Sequence, residues 1–254
     1  LRFINLANNP LGGPVPAWLG GLTKLESIEL TNNNLTGPIP VELTQSLVLM
    51  RLLLHHNYLE GPIPPELGEL TSMQYLDLSY NQLTGSIPPE LGNLSNLTWI
   101  NLSNGQLTGP IPVTFGALTN LDYLVLTDND LSGEIPAVLG DLSKLTMIDL
   151  AANQLSGSIP PELGNLAFLT KPNLASNPLT GPIPPELGNL TSLEWLTLNN
   201  TLVSGDIPAE LSNLSNIWLL WLSSPYLGCW ETPEALAWAL ALTDYEGPTC
   251  CVLP

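Results

Sequence analysis

The sequence predicts an α/β solenoid, one elongated domain made of stacked copies of a short strand–turn–helix unit. Three observations carry this. The chain repeats every 24 residues, without insertion or deletion, from Leu1 to about residue 222. Positions 4 and 6 of nearly every unit are apolar and flank an outward position 5, the alternation of a strand. The nine full units then carry Gly at 13 and Ile-Pro at 15 and 16 (Val-Pro in the first), a turn followed by a helix start. In a solenoid the core lengthens with each unit, so 254 residues do not imply two globular domains.

The units open at Leu1, Leu25, Leu49, Met73, Leu97, Leu121, Leu145, Leu169, Leu193 and Ile217. They give nine full repeats and a partial tenth over residues 1–222, followed by a cap over 223–254. Positions 3 to 6 form a strand, with 4 and 6 inward and 3, 5, 7 and 8 projecting from an open sheet face. Parallel neighbours stack about 4.8 Å apart. Position 9 is Asn in seven units: Asn9, Asn33, Asn57, Asn81, Asn129, Asn153 and Asn177. A row of buried amides there can satisfy backbone groups left bare where the chain leaves the strand. Gly13 and its equivalents allow a positive φ, the Ile is buried, and the Pro opens a helical segment. Leu at 19 and 22 buries that segment and Gly at 20 ends it. Glu42, Glu66, Glu90, Glu162, Glu186 and Glu210 fall in its first turn, where a carboxylate meets the positive end of the helix dipole.

The repeat breaks at a few places. Gly105, Thr201 and Pro225 replace the position-9 Asn. Pro172 replaces an inward Leu and should loosen the sheet, because proline lacks a strand donor. The last 30 residues abandon the repeat. Thr232, Pro233 and Glu234 read as a helix start, and Ala235 to Leu242 as an apolar helix across the solenoid's end. The three cysteines, Cys229, Cys250 and Cys251, all lie in this segment. They predict a disulfide from Cys229 to Cys250 or Cys251, one thiol left over, and an oxidising compartment.

Composition excludes several functions. The net charge is −18, from 23 acidic and 5 basic residues, which is unfit for nucleic acid or anionic membrane surfaces. No apolar run reaches about 18 residues, so membrane insertion is not expected. The chain opens inside a repeat, without signal peptide or N-terminal cap, which reads as a fragment or processed form of a longer protein. No phosphate-cradling loop, zinc spacing or nucleophile elbow is present, so the sequence implies no enzyme, no metal and no cofactor. His55 and His56, the only histidines, read as a diverging surface pair. His55 and Ser79 share position 7 in adjacent units with Asp77 nearby, but the Asp is on the serine's strand and not on the far side of the histidine.

The unit L-x-x-L-x-L-x-x-N-x-L-x-G-x-I-P-x-x-L-G-x-L-x-x resembles the leucine-rich repeat of the plant-specific subtype, and the Gly-x-Ile-Pro element marks that subtype. The resemblance implies a right-handed superhelix with a parallel sheet on its concave face and short strands and 3₁₀ or α helices on the convex side. It also implies an extracellular or cell-surface setting, as in receptor ectodomains, inhibitors of secreted polysaccharide-degrading enzymes, and some ice-binding proteins.

The candidate binding face follows from the repeat. Tyr75, Trp99 and Tyr123 hold position 3 in consecutive units, so three rings should stack in a row about 5 Å apart. Asp77, Asn101 and Asp149 stand at position 5, and Tyr80 and Asp128 at position 8. Aromatics give contact area at low entropic cost, and the carboxylates favour a basic partner. This predicts a protein or peptide ligand, with carbohydrate as the alternative. Inhibition of a secreted polysaccharide-degrading enzyme, or an adhesive surface repeat without a discrete ligand, are the competing functions. Ice binding needs a regular row of small residues such as Thr, and the outward positions are irregular. Sequons stand at Asn34, Asn93, Asn96, Asn101, Asn189, Asn199 and Asn213; sugar on Asn101 would block the face. The sequence leaves the oligomeric state open.

Overall fold

A computed structural model describes residues 1–250; Cys251 lies outside them. The chain forms two compact units, Leu1–Leu131 and a second beginning at Ser132. Each is a stack of parallel strands and 3₁₀ turns at the 24-residue period.

In the first unit the strands Phe3–Asn5, Ser27–Glu29, Arg51–Leu53, Tyr75–Asp77, Trp99–Asn101 and Tyr123–Val125 pair in parallel, each residue opposite its equivalent one repeat on. The position-6 amide extends each pairing: Leu54 N–H donates to Asp77 O, and Leu78 N–H to Asn101 O, both at 2.9 Å. A second ladder runs through Thr36–Gly37, Tyr58–Pro62, Gln82–Ser86 and Gln106–Gly109. Its partners are 22 residues apart, not 24 (Thr84 opposite Gln106), so this ladder is staggered. The core lies between the two ladders. In the repeat opened by Leu49, Leu52, Leu54, Leu59, Ile63, Leu67 and Leu70 are all buried. Each contributes roughly 1.5–3 kcal/mol of burial, realised only when a neighbouring repeat covers it.

The Asn ladder forms. Asn57 Nδ2 donates to Leu54 O and, one repeat back, to Leu30 O, both at 2.9 Å. Its Oδ1 accepts from Leu35 N–H at 2.9 Å. In the second unit Asn177 repeats this with Leu174, Leu150 and Leu155. Thr201 keeps one element of the pattern, donating to Leu198 O at 2.6 Å.

Three expectations need correction. Gly at position 20 does not end the helix. Gly68, Gly92 and Gly164 sit buried inside the 3₁₀ helices Pro65–Glu69, Pro89–Asn93 and Pro161–Asn165. A Cβ on Gly164 would lie 2.4 Å from Glu186 O, so glycine is there to let successive repeats approach. Position 7 does not project uniformly either. The strand ends at position 5, so alternation stops: Ser79 and Ser103 are buried, whereas His55 and Thr127 are half-buried. Finally, the C-terminal segment departs from the repeat in sequence but not in path. Tyr226–Trp230 pairs with Ser204–Ile207, and Asp244–Glu246 adds a parallel strand beside Leu219–Trp221. The α-helix Pro233–Leu240, capped by Thr232 Oγ1 accepting from Ala235 N–H, packs on the 3₁₀ helix Ala209–Asn213. Cys229 is bonded to Cys250.

Pro172 leaves its mark. Lys171–Asn173 pairs fully with Met147–Asp149, but meets Trp195–Thr197 only through Asn173 opposite Thr197. Positions 6 and 8 donate toward the following repeat, as Leu174 N–H does to Thr197 O, and the parallel register gives position 4 the same direction. Proline has no N–H to offer Trp195 O, so the ladder opens on that side.

Candidate functional site: an aromatic platform on the first sheet

The open face of the first unit's sheet is built from position 3. The registers set Arg51 opposite Tyr75, Tyr75 opposite Trp99, and Trp99 opposite Tyr123. The Trp99 and Tyr123 rings stack with centroids 4.4 Å apart and planes inclined by 32°. Tyr75 is covered differently: the Arg51 guanidinium carbon lies 4.5 Å from its ring centroid. The continuous three-ring stack read from the sequence is therefore a two-ring platform beside a cation–π pair. All three rings are half-buried, with inward Leu76, Ile100 and Leu124 fully buried beneath them.

Position 5 has a structural duty that the sequence reading missed. Asp77 Oδ1 accepts from Ser79 N–H at 3.1 Å and from the Ser79 hydroxyl at 2.6 Å. Asn101 does the same with Ser103 at 3.1 and 2.7 Å. These Asx turns bend the chain out of the strand and fix both side chains. The second carboxylate oxygen of Asp77 and the amide nitrogen of Asn101 take no part in the turn. The signal was present in D-x-S at 77–79 and N-x-S at 101–103.

Position 8 forms a rim in left-handed backbone conformation. Its φ angles are +56° at His56, +52° at Tyr80, +55° at Asn104 and +55° at Asp128. Asn and Asp tolerate this region; a bulky ring there is an outlier. The two bulky residues stack on each other, His56 on Tyr80, with centroids 4.2 Å apart and planes 18° apart. His55 and His56 do not diverge, since both lie beyond the strand; their Nδ1 atoms are 3.0 Å apart. The His56–Tyr80 wall was absent from the sequence reading, although their 24-residue spacing at one repeat position announces it. Tyr80 and Asp128 are exposed on this rim.

Asp149 lies in the second unit. It ends the strand Met147–Asp149, and its Oδ1 accepts from Ala151 N–H at 3.1 Å. That unit has an aromatic group of its own: Lys171 Nζ lies 4.7 Å from the Trp195 centroid and 3.7 Å from Glu194, and Trp218 meets Trp195 edge-on at 5.5 Å.

Ser79, His55 and Asp77 do not assemble a nucleophilic triad. The Ser79 hydroxyl is turned to Asp77, and His55 is turned to His56. Among the described residues no group of three or more His, Cys, Asp or Glu could hold a metal, and no helix is long and apolar enough to cross a membrane. Of the sequon asparagines, Asn93, Asn189 and Asn213 are exposed at the ends of 3₁₀ helices, whereas Asn101 is half-buried in its turn.

A stack of 24-residue strand–turn–3₁₀ units with a buried Asn ladder defines a class. Models described as leucine rich repeat match residues 47–107 and 95–155, and further copies match 1–22, 24–46 and 173–190. The chain belongs to the leucine-rich repeat family, and its repeat is of the plant type. Among solved structures it is similar to the plant peptide hormone receptor RGFR1 in complex with RGF2, at 41% identity and TM-score 0.88, over 90% of this chain and 36% of that one. It is similar to a TDR receptor at 32% identity and TM-score 0.90, over 96% and 42%. It is also similar to a plant ice-binding protein at 26% identity and TM-score 0.76, over 100% and 80%. The chain thus spans about two fifths or less of the length of the two receptors. No protein of curated function matches it.

Proposed function

We propose that this chain is a non-enzymatic recognition module, extracellular or at the cell surface, that binds a peptide or protein on the open face of the first sheet. The observation that carries the reading is the Trp99–Tyr123 platform. It is a rigid, half-buried pair of rings 4.4 Å apart, set on a parallel sheet and flanked by Asp77, Asn101 and the Tyr80–Asp128 rim. Such rings offer contact area without much ordering cost, and fixed polar groups beside them give direction. The similarity to a peptide hormone receptor supports this reading over an adhesive repeat without a ligand.

Ice binding is the less favoured reading. Thr36, Thr84 and Thr108 share position 12, but the stagger of the second ladder sets Thr36 opposite Tyr58 and Thr84 opposite Gln106. The hydroxyls are therefore interleaved with large side chains and form no regular row.

The test is a combined peptide and glycan array probed with the purified chain and with the Trp99→Ala/Tyr123→Ala double variant. Peptide signals that the double variant loses, while its melting curve is kept, are expected. Signals confined to glycans, or peptide signals indifferent to both substitutions, would remove this face from consideration.

A further inference from the structure

The aromatic side chains at position 3 fall into two groups. Three carry a cation of the chain itself: Arg2 lies 5.7 Å from the Phe3 centroid, Arg51 4.5 Å from Tyr75, and Lys171 4.7 Å from Trp195. For Tyr75 and Trp195 the cation stands at the same repeat position on the preceding strand. The repeat geometry therefore delivers a cation onto a position-3 ring wherever a basic residue precedes it. Trp99 and Tyr123 lack one; Trp99 is preceded by Tyr75, and Tyr123 by Trp99.

Carboxylates stand further along the same repeats, Asp77 at position 5 and Asp128 at position 8. Asp77 fixes one oxygen in its turn and keeps the other outside it. Asp128 stands exposed on the rim, next to Asn104 and two places from Tyr80. Three of the five basic residues already sit on position-3 rings, in a chain of net charge −18. The platform thus has ring faces and negative charge but no cation of its own.

We infer that the Trp99–Tyr123 platform, with Asp77 and Asp128, receives an arginine or lysine side chain of an extended peptide. This rests on the peptide-binding reading above and names the chemistry of its ligand. A guanidinium suits both features, since its plane stacks on the rings and its charge is complementary to the carboxylates further along the face. A neutral sugar could stack on the rings and donate hydroxyls to a carboxylate, but it brings no positive charge to match the acidic surroundings.

The experiment pans a phage-displayed library of random dodecapeptides on the purified chain, with counter-selection on the Trp99→Ala variant. Trp99→Phe and Asp128→Asn serve as second variants that preserve the packing. Recovered peptides should be enriched in Arg or Lys. Replacing the key Arg by citrulline, its neutral isostere, should weaken binding about tenfold or more, as should Asp128→Asn by a smaller factor. Peptides that distinguish wild type from Trp99→Ala yet ignore the citrulline exchange would overturn the cation while leaving a peptide site. If no peptide distinguishes wild type from Trp99→Ala, both the cation and the peptide site are overturned.

Discussion

The side-chain oxygen of Asn57 accepts from the backbone N–H of Leu35 at 2.9 Å, across the boundary between two repeats. It accepts from Asn33 N–H as well, and its amide serves Leu30 O and Leu54 O. One buried amide thus satisfies two donors and three acceptors, the third being His55 O at 3.3 Å. Asn57→Leu keeps the branched shape and abandons all of them. Each buried group left unpaired costs about 1–3 kcal/mol, so a loss of about 3 kcal/mol or more is expected. A urea unfolding midpoint equal to wild type would show that water or a shifted turn replaces the amide.

How much of this could be read beforehand depends on how local the cause is. The strands, the Gly turn and the Asn ladder were legible because a 24-residue period puts each cause in view of every copy. The Ser79 and Ser103 positions were misread because alternation was carried two residues past the end of a three-residue strand. The C-terminal path was missed because Asp244–Glu246 carries none of the leucines that mark a unit, although its backbone continues the pairing. The aromatic row was legible as residues but not as geometry. The 24-residue spacing sets Arg51 beside Tyr75, but it does not say that the guanidinium, rather than Trp99, covers the ring.

Glycine at position 20 provides a sharper test of long-range cause. A Cβ on Gly164 would meet Glu186 O at 2.4 Å, and a backbone atom cannot swing aside. Gly21 has open space around its missing Cβ. Gly164→Ala should therefore cost about 1–3 kcal/mol by overpacking, while Gly21→Ala is neutral or slightly stabilising. Equal thermal denaturation of the two variants would restore the helix-ending role read from the sequence.

Pro172 invites the opposite substitution. Pro172→Leu restores an N–H for Trp195 O and an inward Leu beside Ile148. The new strand bond and better packing outweigh the entropy regained by the unfolded chain, and a net gain of about 1 kcal/mol is expected. Slow hydrogen exchange at the new residue-172 amide reports the repair directly. An amide exchanging as fast as an exposed loop would mean that another cause holds the two strands apart.

The C-terminal segment carries a pH signature. Trp230 is fully buried, and its Nε1 donates to the Tyr245 hydroxyl at 3.0 Å; that hydroxyl donates in turn to Pro248 O. Burial raises the Tyr245 pKa above its ordinary value near 10, and the Trp230 hydrogen bond opposes this only in part. With a raised folded-state value, the stability linked to this proton is complete below about pH 10. It declines as pH rises from there through the folded-state pKa, because the unfolded chain releases its proton first. Tyr245→Phe removes the titrating group. Its stability should be lower at neutral pH, where Trp230 Nε1 and Pro248 O lose their partner, but flatter between about pH 9 and 11 than that of wild type. Chemical denaturation across that range distinguishes the two curves, and parallel slopes would mean that the phenol titrates alike in the folded and unfolded chain.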